Sequence, residues 1–260
     1  MYKRNRLYIG EAEQEQIRRT KIVFGGLGIG SVIAECALRM GFETLHLIDG
    51  DTVELSNLNR QNYRLNDVGK PKCVALFEHL KHINPNANIT YSNVFLTADN
   101  MAEHLAGADI AVNAIDFTSD APLIFDEVCV KKGIPVVHPY NFGYGGLVLV
   151  LTKESPNLRL LSNEYRGMEI TVANYVLDVL AQKGIYIDRF RNMLTEYTAQ
   201  CRGVLHTPLL SQSPPSPPQL SIASWLLGGM CTDIFLKLVR NESVSVFPKF
   251  YYLDNNQNQF

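Results

Sequence analysis

The chain has 260 residues, with 24 Lys and Arg against 26 Asp and Glu, for a net charge of −2. That length can bury a sizeable core, and one α/β domain with an insertion fits it better than two equal domains. The near-neutral balance gives no reason to expect nucleic-acid or membrane binding. The opening MYKRNRLYIG lacks the apolar centre of a secretion signal, so a cytoplasmic location is expected.

In chain order, Lys21 to Phe24 reads as a short buried strand that runs into the glycine cluster Gly25-Gly26-Leu27-Gly28-Ile29-Gly30. Ser31 to Met40 then places Val32, Ile33, Cys36, Ala37 and Met40 at helical spacing. Strand, glycine turn and helix together aim backbone N–H groups and a helix N-terminus at phosphate. The match to G-x-G-x-x-G is irregular, because Gly26 and Gly28 fit it only with Ser31 in the last place. Thr44 to Ile48 reads as a second strand. It ends at Asp49, where an acid can accept hydrogen bonds from ribose hydroxyls. Up to this point an NAD-dependent oxidoreductase fits as well as any other nucleotide-binding unit.

The stretch LIDGDTVELSNLNRQNYRLNDVGKPK, Leu47 to Lys72, narrows the choice. A nicotinamide enzyme needs one pyrophosphate site and has no use for Arg60, Lys70 and Lys72 at fixed places after the ribose acid. A triphosphate does need them, because charge on the β- and γ-phosphates must be neutralised as pyrophosphate leaves. Each cation alone would read as a solvated surface charge. The cassette as a whole favours attack on an α-phosphate.

Farther along, Asn88 to Val94 reads as a third strand, Asp99 to Leu105 as a short helix and Asp120 to Lys132 as a longer one. Helix signals recur at Thr171 to Lys183 and at Asp188 to Thr198. Leu205 to Pro218 contains HTPLLSQSPPSPP and reads as loop or disordered chain. Ser221 to Val239 is the longest apolar stretch. Thr232, Asp233 and Lys237 break it, so a buried helix is expected rather than a membrane span. Gly228-Gly229 in its middle weakens it by ~1 kcal/mol per glycine against alanine, and close packing is expected to compensate. Phe247 to Asp254 reads as a last strand. The five cysteines form no C-x-x-C pair and the six histidines show no metal-ligand spacing, so no zinc is expected. His138 reads as a satisfied histidine at a strand end.

GGLGIGS, DGDTVELSNLNRQN and DVGKPK resemble the adenylation domain of the ThiF/MoeB/HesA (ubiquitin-activating enzyme-like) adenylyltransferase family. Ala108 to Asp116 resembles that family's fourth strand, which ends on a metal-binding aspartate. Pro135 to His138 and Gly145 to Val150 resemble its fifth strand and the return strand. The resemblance implies an α/β fold: a Rossmann-like, mostly parallel sheet with flanking helices, extended by antiparallel strands in the C-terminal half. It covers residues 1–152 as an ATP-binding core and resumes weakly near the apolar helix, so that 218–260 completes the same domain. Residues 153–217 match no nameable segment and stand as a variable insertion or crossover.

Roles carry over residue by residue. Gly25, Gly28 and Gly30 would form the turn around the nucleotide phosphates, with Leu27 in place of a usual glycine. Asp49 would hold the ribose, and Asp51 would support the loop or a metal. Asn57, Arg60 and Gln61 would line the phosphate path, and Lys72 would contact the α-phosphate and the departing oxygen. Asp116 would hold Mg²⁺. Arg4 resembles an arginine that reaches into the partner subunit's site, which implies a homodimer. Cys201, next to Arg202, is the cysteine best placed for a thioester; an incidental cysteine is the favoured reading. Cys36, Cys73, Cys129 and Cys231 read as core packing. The implied reaction is ATP- and Mg²⁺-dependent adenylation of the C-terminal carboxylate of a ubiquitin-like or sulfur-carrier protein, or of a peptide. The alternatives are a catalytically silent binding or dimer-partner module, which Leu27 allows, and activation of a carboxylate on a nucleic acid.

Overall fold

The computed structural model describes residues 1–205 and 216–254, with the backbone alone for 202–205. Among these residues the strands are β1 (Lys21–Gly25), β2 (Thr44–Ile48), β3 (Asn88–Ser92), β4 (Ile110–Asn113), β5 (Val136–Asn141), β6 (Gly145–Leu151) and β7 (Tyr251–Asp254). They form one sheet in the order β3-β2-β1-β4-β5-β6-β7. The first five run parallel, and β6 and β7 add to the edge antiparallel. This is the expected sheet.

Eight helices occur among the described residues: α1 (Glu11–Arg19), α2 (Gly30–Met40), α3 (Lys72–Ile83), α4 (Met101–His104), α5 (Ala121–Lys132), α6 (Met168–Gln182), α7 (Asp188–Leu205) and α8 (Ser221–Val239). The strands show why two helical layers are needed. Ile22 and Phe24 of β1 enter one core with Leu38, Leu76 and Phe235, whereas Val23 enters the other with Phe125, Val176 and Phe190. Ile110 and Val112 of β4 divide from Ala111 in the same way. Successive side chains point to opposite faces, and both faces are covered, so the strands read as unbroken apolar runs.

Several boundaries differ from expectation. β4 ends at Asn113, so Asp116 lies on the loop beyond the strand rather than at its tip. β5 continues past His138 to Asn141, which places that histidine inside the strand. The last strand shortens to Tyr251–Asp254, while Phe247 turns into the core. α7 runs past Thr198 to Leu205. The rest of the expected proline-rich loop, 206–215, lies outside the described residues, and 216–218 are irregular.

α8 is long and apolar enough to cross a membrane by length and composition. Half of it is buried against α2, β5 and β6, as a core helix would be. Its two glycines divide. A Cβ on Gly228 would press on Val32 and Cys36 of α2, whereas one on Gly229 would meet open space. Close packing thus accounts for one glycine and not for the other.

Candidate active site

A cavity of about 620 Å³ opens at the carboxyl ends of the parallel strands, where the order reverses between β1 and β4. Open α/β sheets place ligands at this switch point, because the loops leaving β1 and β4 part there. The segments that follow β1, β2 and β4 all line it: Gly26 and Gly28, Asp49 to Asp51, and Ala114 to Thr118.

The glycine turn is shaped by Gly26, which the sequence reading left out of its site. Gly26 has φ +84°, and a Cβ there would run into the carbonyl of Ala114. No side chain fits that approach between the β1 and β4 loops. Gly28 lines the cavity, while Gly25 and Gly30 lie outside the lining. Gly25 ends β1 against Phe125, and Gly30 opens α2 against Ala114. Leu27 does not distort the turn. Its side chain is fully buried, its N–H donates to Asp49 Oδ2 at 2.6 Å, and its carbonyl accepts from the Tyr63 hydroxyl at 2.9 Å.

Asp49 is buried, and its other oxygen accepts from the Asp51 N–H at 2.8 Å. Burial raises its carboxyl above the usual range, while Lys72 and the two backbone donors oppose that. Lys72 is the first residue of α3 and is itself buried; its Nζ reaches Asp51 Oδ2 at 2.9 Å. Asp51 and Lys72 are further tied by a backbone hydrogen bond from the Lys72 N–H to the Asp51 carbonyl at 2.9 Å.

Arg60 also lines the cavity. Its Nε donates to Gln219 Oε1 at 2.6 Å, and one terminal nitrogen donates to the Ser56 carbonyl and the Asn59 side chain. Burial lowers its pKa, and the nearby Asp116 opposes the shift. Asp116 opens into the cavity. Its depth in the cleft raises the carboxyl, Lys72 opposes, and Asp51 and Asp49 add to the rise. Gln61 lines the cavity beside Gly28, and its Oε1 is buried without a partner among the described residues.

Asn57 and Arg4 stand elsewhere. Asn57 is turned back on its own turn, where its side-chain oxygen accepts from the Glu54 N–H at 3.0 Å; it does not line the cavity. Arg4 is exposed in an N-terminal turn held at the far end of α2, where Tyr2 donates to the Leu38 carbonyl and Asn5 to that of Met40. Cys201 does line the cavity, and burial pushes its thiol up. The Arg202 side chain lies outside the described residues.

Beneath the floor, buried Asp126 accepts from the Asn113 side chain at 2.7 Å and pairs with His138 Nδ1 at 3.2 Å. This ties the end of β4 to α5 and β5 near the loop that carries Asp116, and His138 is satisfied as expected. Glu169, Tyr140 and Tyr197 also line the cavity and were not singled out from the sequence. No spacing signal marks them, since they meet only through the packing of α6 and α7 on β5.

The ThiF family model matches residues 2–260, including the stretch 153–217. The chain is 34% identical to the sulfur carrier protein ThiS adenylyltransferase of Bacillus subtilis (strain 168) over 167 residues, 62% of this chain and 49% of that protein. It is 34% identical to the tRNA threonylcarbamoyladenosine dehydratase of Escherichia coli (strain K12) over 135 residues, 51% and 50% of the two chains. The chain therefore spans about half the length of the curated relatives it matches. A crystal structure of selenomethionine PaaA shares the fold, with a TM-score of 0.67 at 21% identity, covering 94% of this chain and 72% of that one.

Proposed function

The chain belongs to the ThiF family, and from that membership we propose that it is an ATP-dependent adenylyltransferase. Its substrate is the C-terminal carboxylate of a ubiquitin-like or sulfur-carrier protein, or of a peptide. The observation that carries this is the meeting of Asp49, Arg60, Lys72 and Asp116, from four separate segments, around one cavity.

A carboxylate oxygen of the substrate attacks the α-phosphorus of ATP. The bond from that phosphorus to the bridging oxygen breaks, and pyrophosphate leaves with the electron pair. Little covalent work falls to the protein, so positioning and charge stabilisation supply the rate. Lys72 neutralises charge at the α-phosphate and the departing oxygen, and Arg60 does so on the β- and γ-phosphates. Each Asp49 oxygen keeps a lone pair for a ribose hydroxyl after its one backbone bond. The unpartnered Gln61 oxygen supports a ligand that brings a hydrogen-bond donor beside Gly28.

Mg²⁺ fits Asp116. No cluster of three ligating side chains occurs among the described residues, and Mg²⁺ bound to a nucleotide commonly takes one or two protein carboxylates with the phosphates as its other ligands. When bound, it supplies neutralisation of phosphate charge. The acyl-adenylate is handed on without Cys201, whose thiol is pushed up by burial.

The active form is a cytoplasmic homodimer. Arg4 is exposed away from its own cavity, beside Leu7 at 100% and Tyr8 at 85% exposure, which supports a reach into a partner's site. The test is ATP:pyrophosphate exchange with Mg²⁺ in the presence of ubiquitin-like carriers and short peptides. Lys72→Ala should lower substrate-dependent exchange by about 100-fold or more. Exchange unchanged by Lys72→Ala would sink the assignment.

A further inference from the structure

Beyond Asp116 the cavity continues into a second lobe between β5 and the helices α6 and α7. Its walls are apolar and aromatic, with Phe142 and Phe190 stacked at 4.0 Å between ring centroids and Leu194 beside them. Tyr165, Arg166 and Tyr197 bring polar atoms to these walls, and two further groups stand out. Tyr140 is 8% exposed, and its hydroxyl has no hydrogen-bond partner among the described residues. Glu169, in the first turn of α6, leaves Oε2 buried and equally unpartnered.

The adenylation residues give these groups no employment. Arg60 is held by Gln219, Ser56 and Asn59, and Lys72 pairs with Asp51. No Lys or Arg forms an ion pair with Glu169 among the described residues. Burial raises its carboxyl most and the Asp116 charge adds to that, while its own backbone N–H and a hydrogen bond from Tyr197 oppose the rise. A buried carboxylate oxygen left without a donor is costly, and an arrangement that persists is explained by a ligand that completes it.

We propose that this lobe receives the ammonium or guanidinium head of the substrate, a lysine- or arginine-like group near the carboxylate that is activated. Such heads are donors only, so they match a carboxylate oxygen and a phenol oxygen with nothing left over. A carboxamide would bring a carbonyl that needs a donor of its own, and a second carboxylate would be repelled by Glu169 and Asp116. The apolar walls suit the methylene stem. The substrate is then a peptide or carrier with a basic residue at or near its C-terminus, rather than one ending in glycines alone. This rests on the adenylation reading for its geometry, since the head must sit within one side chain's reach of Asp116.

The test is calorimetric titration of the full chain with butylammonium, butylguanidinium, butyramide and butyrate, with ATP titrated in parallel. The two cations should bind at least about tenfold more tightly than the amide and the acid. Glu169→Gln should weaken cation binding by a similar factor while ATP binding holds, and Tyr140→Phe should weaken it by less. Preserved ATP binding shows that each variant is folded. Equal or tighter binding of butyramide or butyrate overturns the proposal. So does cation binding that Glu169→Gln leaves unmoved, or no probe binding alongside normal ATP binding. Loss of ATP binding in the wild-type chain would instead count against adenylation itself, and the probe series would still decide whether the lobe selects cations.

Discussion

At the scale of single residues, the site is held by backbone groups that only particular side chains permit. Gly26 combines positive φ with a close approach to Ala114. Gly26→Ala should therefore cost about 3 kcal/mol or more in urea unfolding, from strain and clash together. His46 makes a different case. Burial, with His104 and Lys21 adding, lowers its imidazole from 6.5 to about 4. A depressed folded value means that the unfolded chain takes up the proton first. The stability from a neutral His46 is complete above about pH 6.5 and is lost as pH falls toward 4. Urea midpoints measured across that window should fall more steeply for the wild type than for His46→Gln; parallel curves would refute this. Asp49, Arg60 and Lys72 were legible in the sequence because their spacing in one cassette signals triphosphate chemistry. Gly26 was hidden among its neighbouring glycines, since a positive φ is set by how the β1 and β4 loops meet. Glu169 carries no signal at all, because its isolation is a tertiary fact.

At the scale of elements, the strands followed from apolar runs, and the helices followed wherever one apolar stripe faced the sheet. α1 was not legible from apolar periodicity, since Ile17 is its single buried residue. It is held by polar contacts: Gln16 donates to the Val239 carbonyl at 3.0 Å, and Glu13 pairs with Arg240. Its charge order could have revealed it, with Glu11 and Glu13 in the first turn and Arg18 and Arg19 in the last, each favoured by the helix dipole. The paired glycines of α8 give a direct contrast. Gly228→Leu should destabilise by about 1–3 kcal/mol, because Val32 and Cys36 leave no room. Gly229→Ala should stabilise by up to ~1 kcal/mol, because its surroundings are open and alanine is the better helix former. Thermal unfolding of the two variants decides it, and shifts of the same sign would contradict the packing assigned to α8.

At the scale of the whole molecule, the placement of Arg4 bears on assembly. Arg4→Ala and Lys72→Ala should each be inactive alone in pyrophosphate exchange. If Arg4 serves a neighbour's cavity, unfolding and refolding the two together should restore activity, because each mixed dimer then holds one site with both residues intact. Activity that stays absent in the mixture would place Arg4 within its own subunit or outside catalysis. The fold class, the parallel sheet and its antiparallel edge were legible through the family resemblance of the motifs. Within 153–217 the helices α6 and α7 were marked by their helical signals, but their placement was not, because they carry no motif. The bond between Arg60 and Gln219 spans 159 residues of chain. It couples the phosphate side of the cavity to the segment that leads into α8. A nucleotide that takes the Arg60 Nε for its own phosphates would compete with that bond. Thermodynamic reciprocity then runs both ways: whatever draws Gln219 aside tightens nucleotide binding, and nucleotide binding releases Gln219 by the same factor. On the adenylation reading, the segment before α8 would thus act as a brake on nucleotide loading.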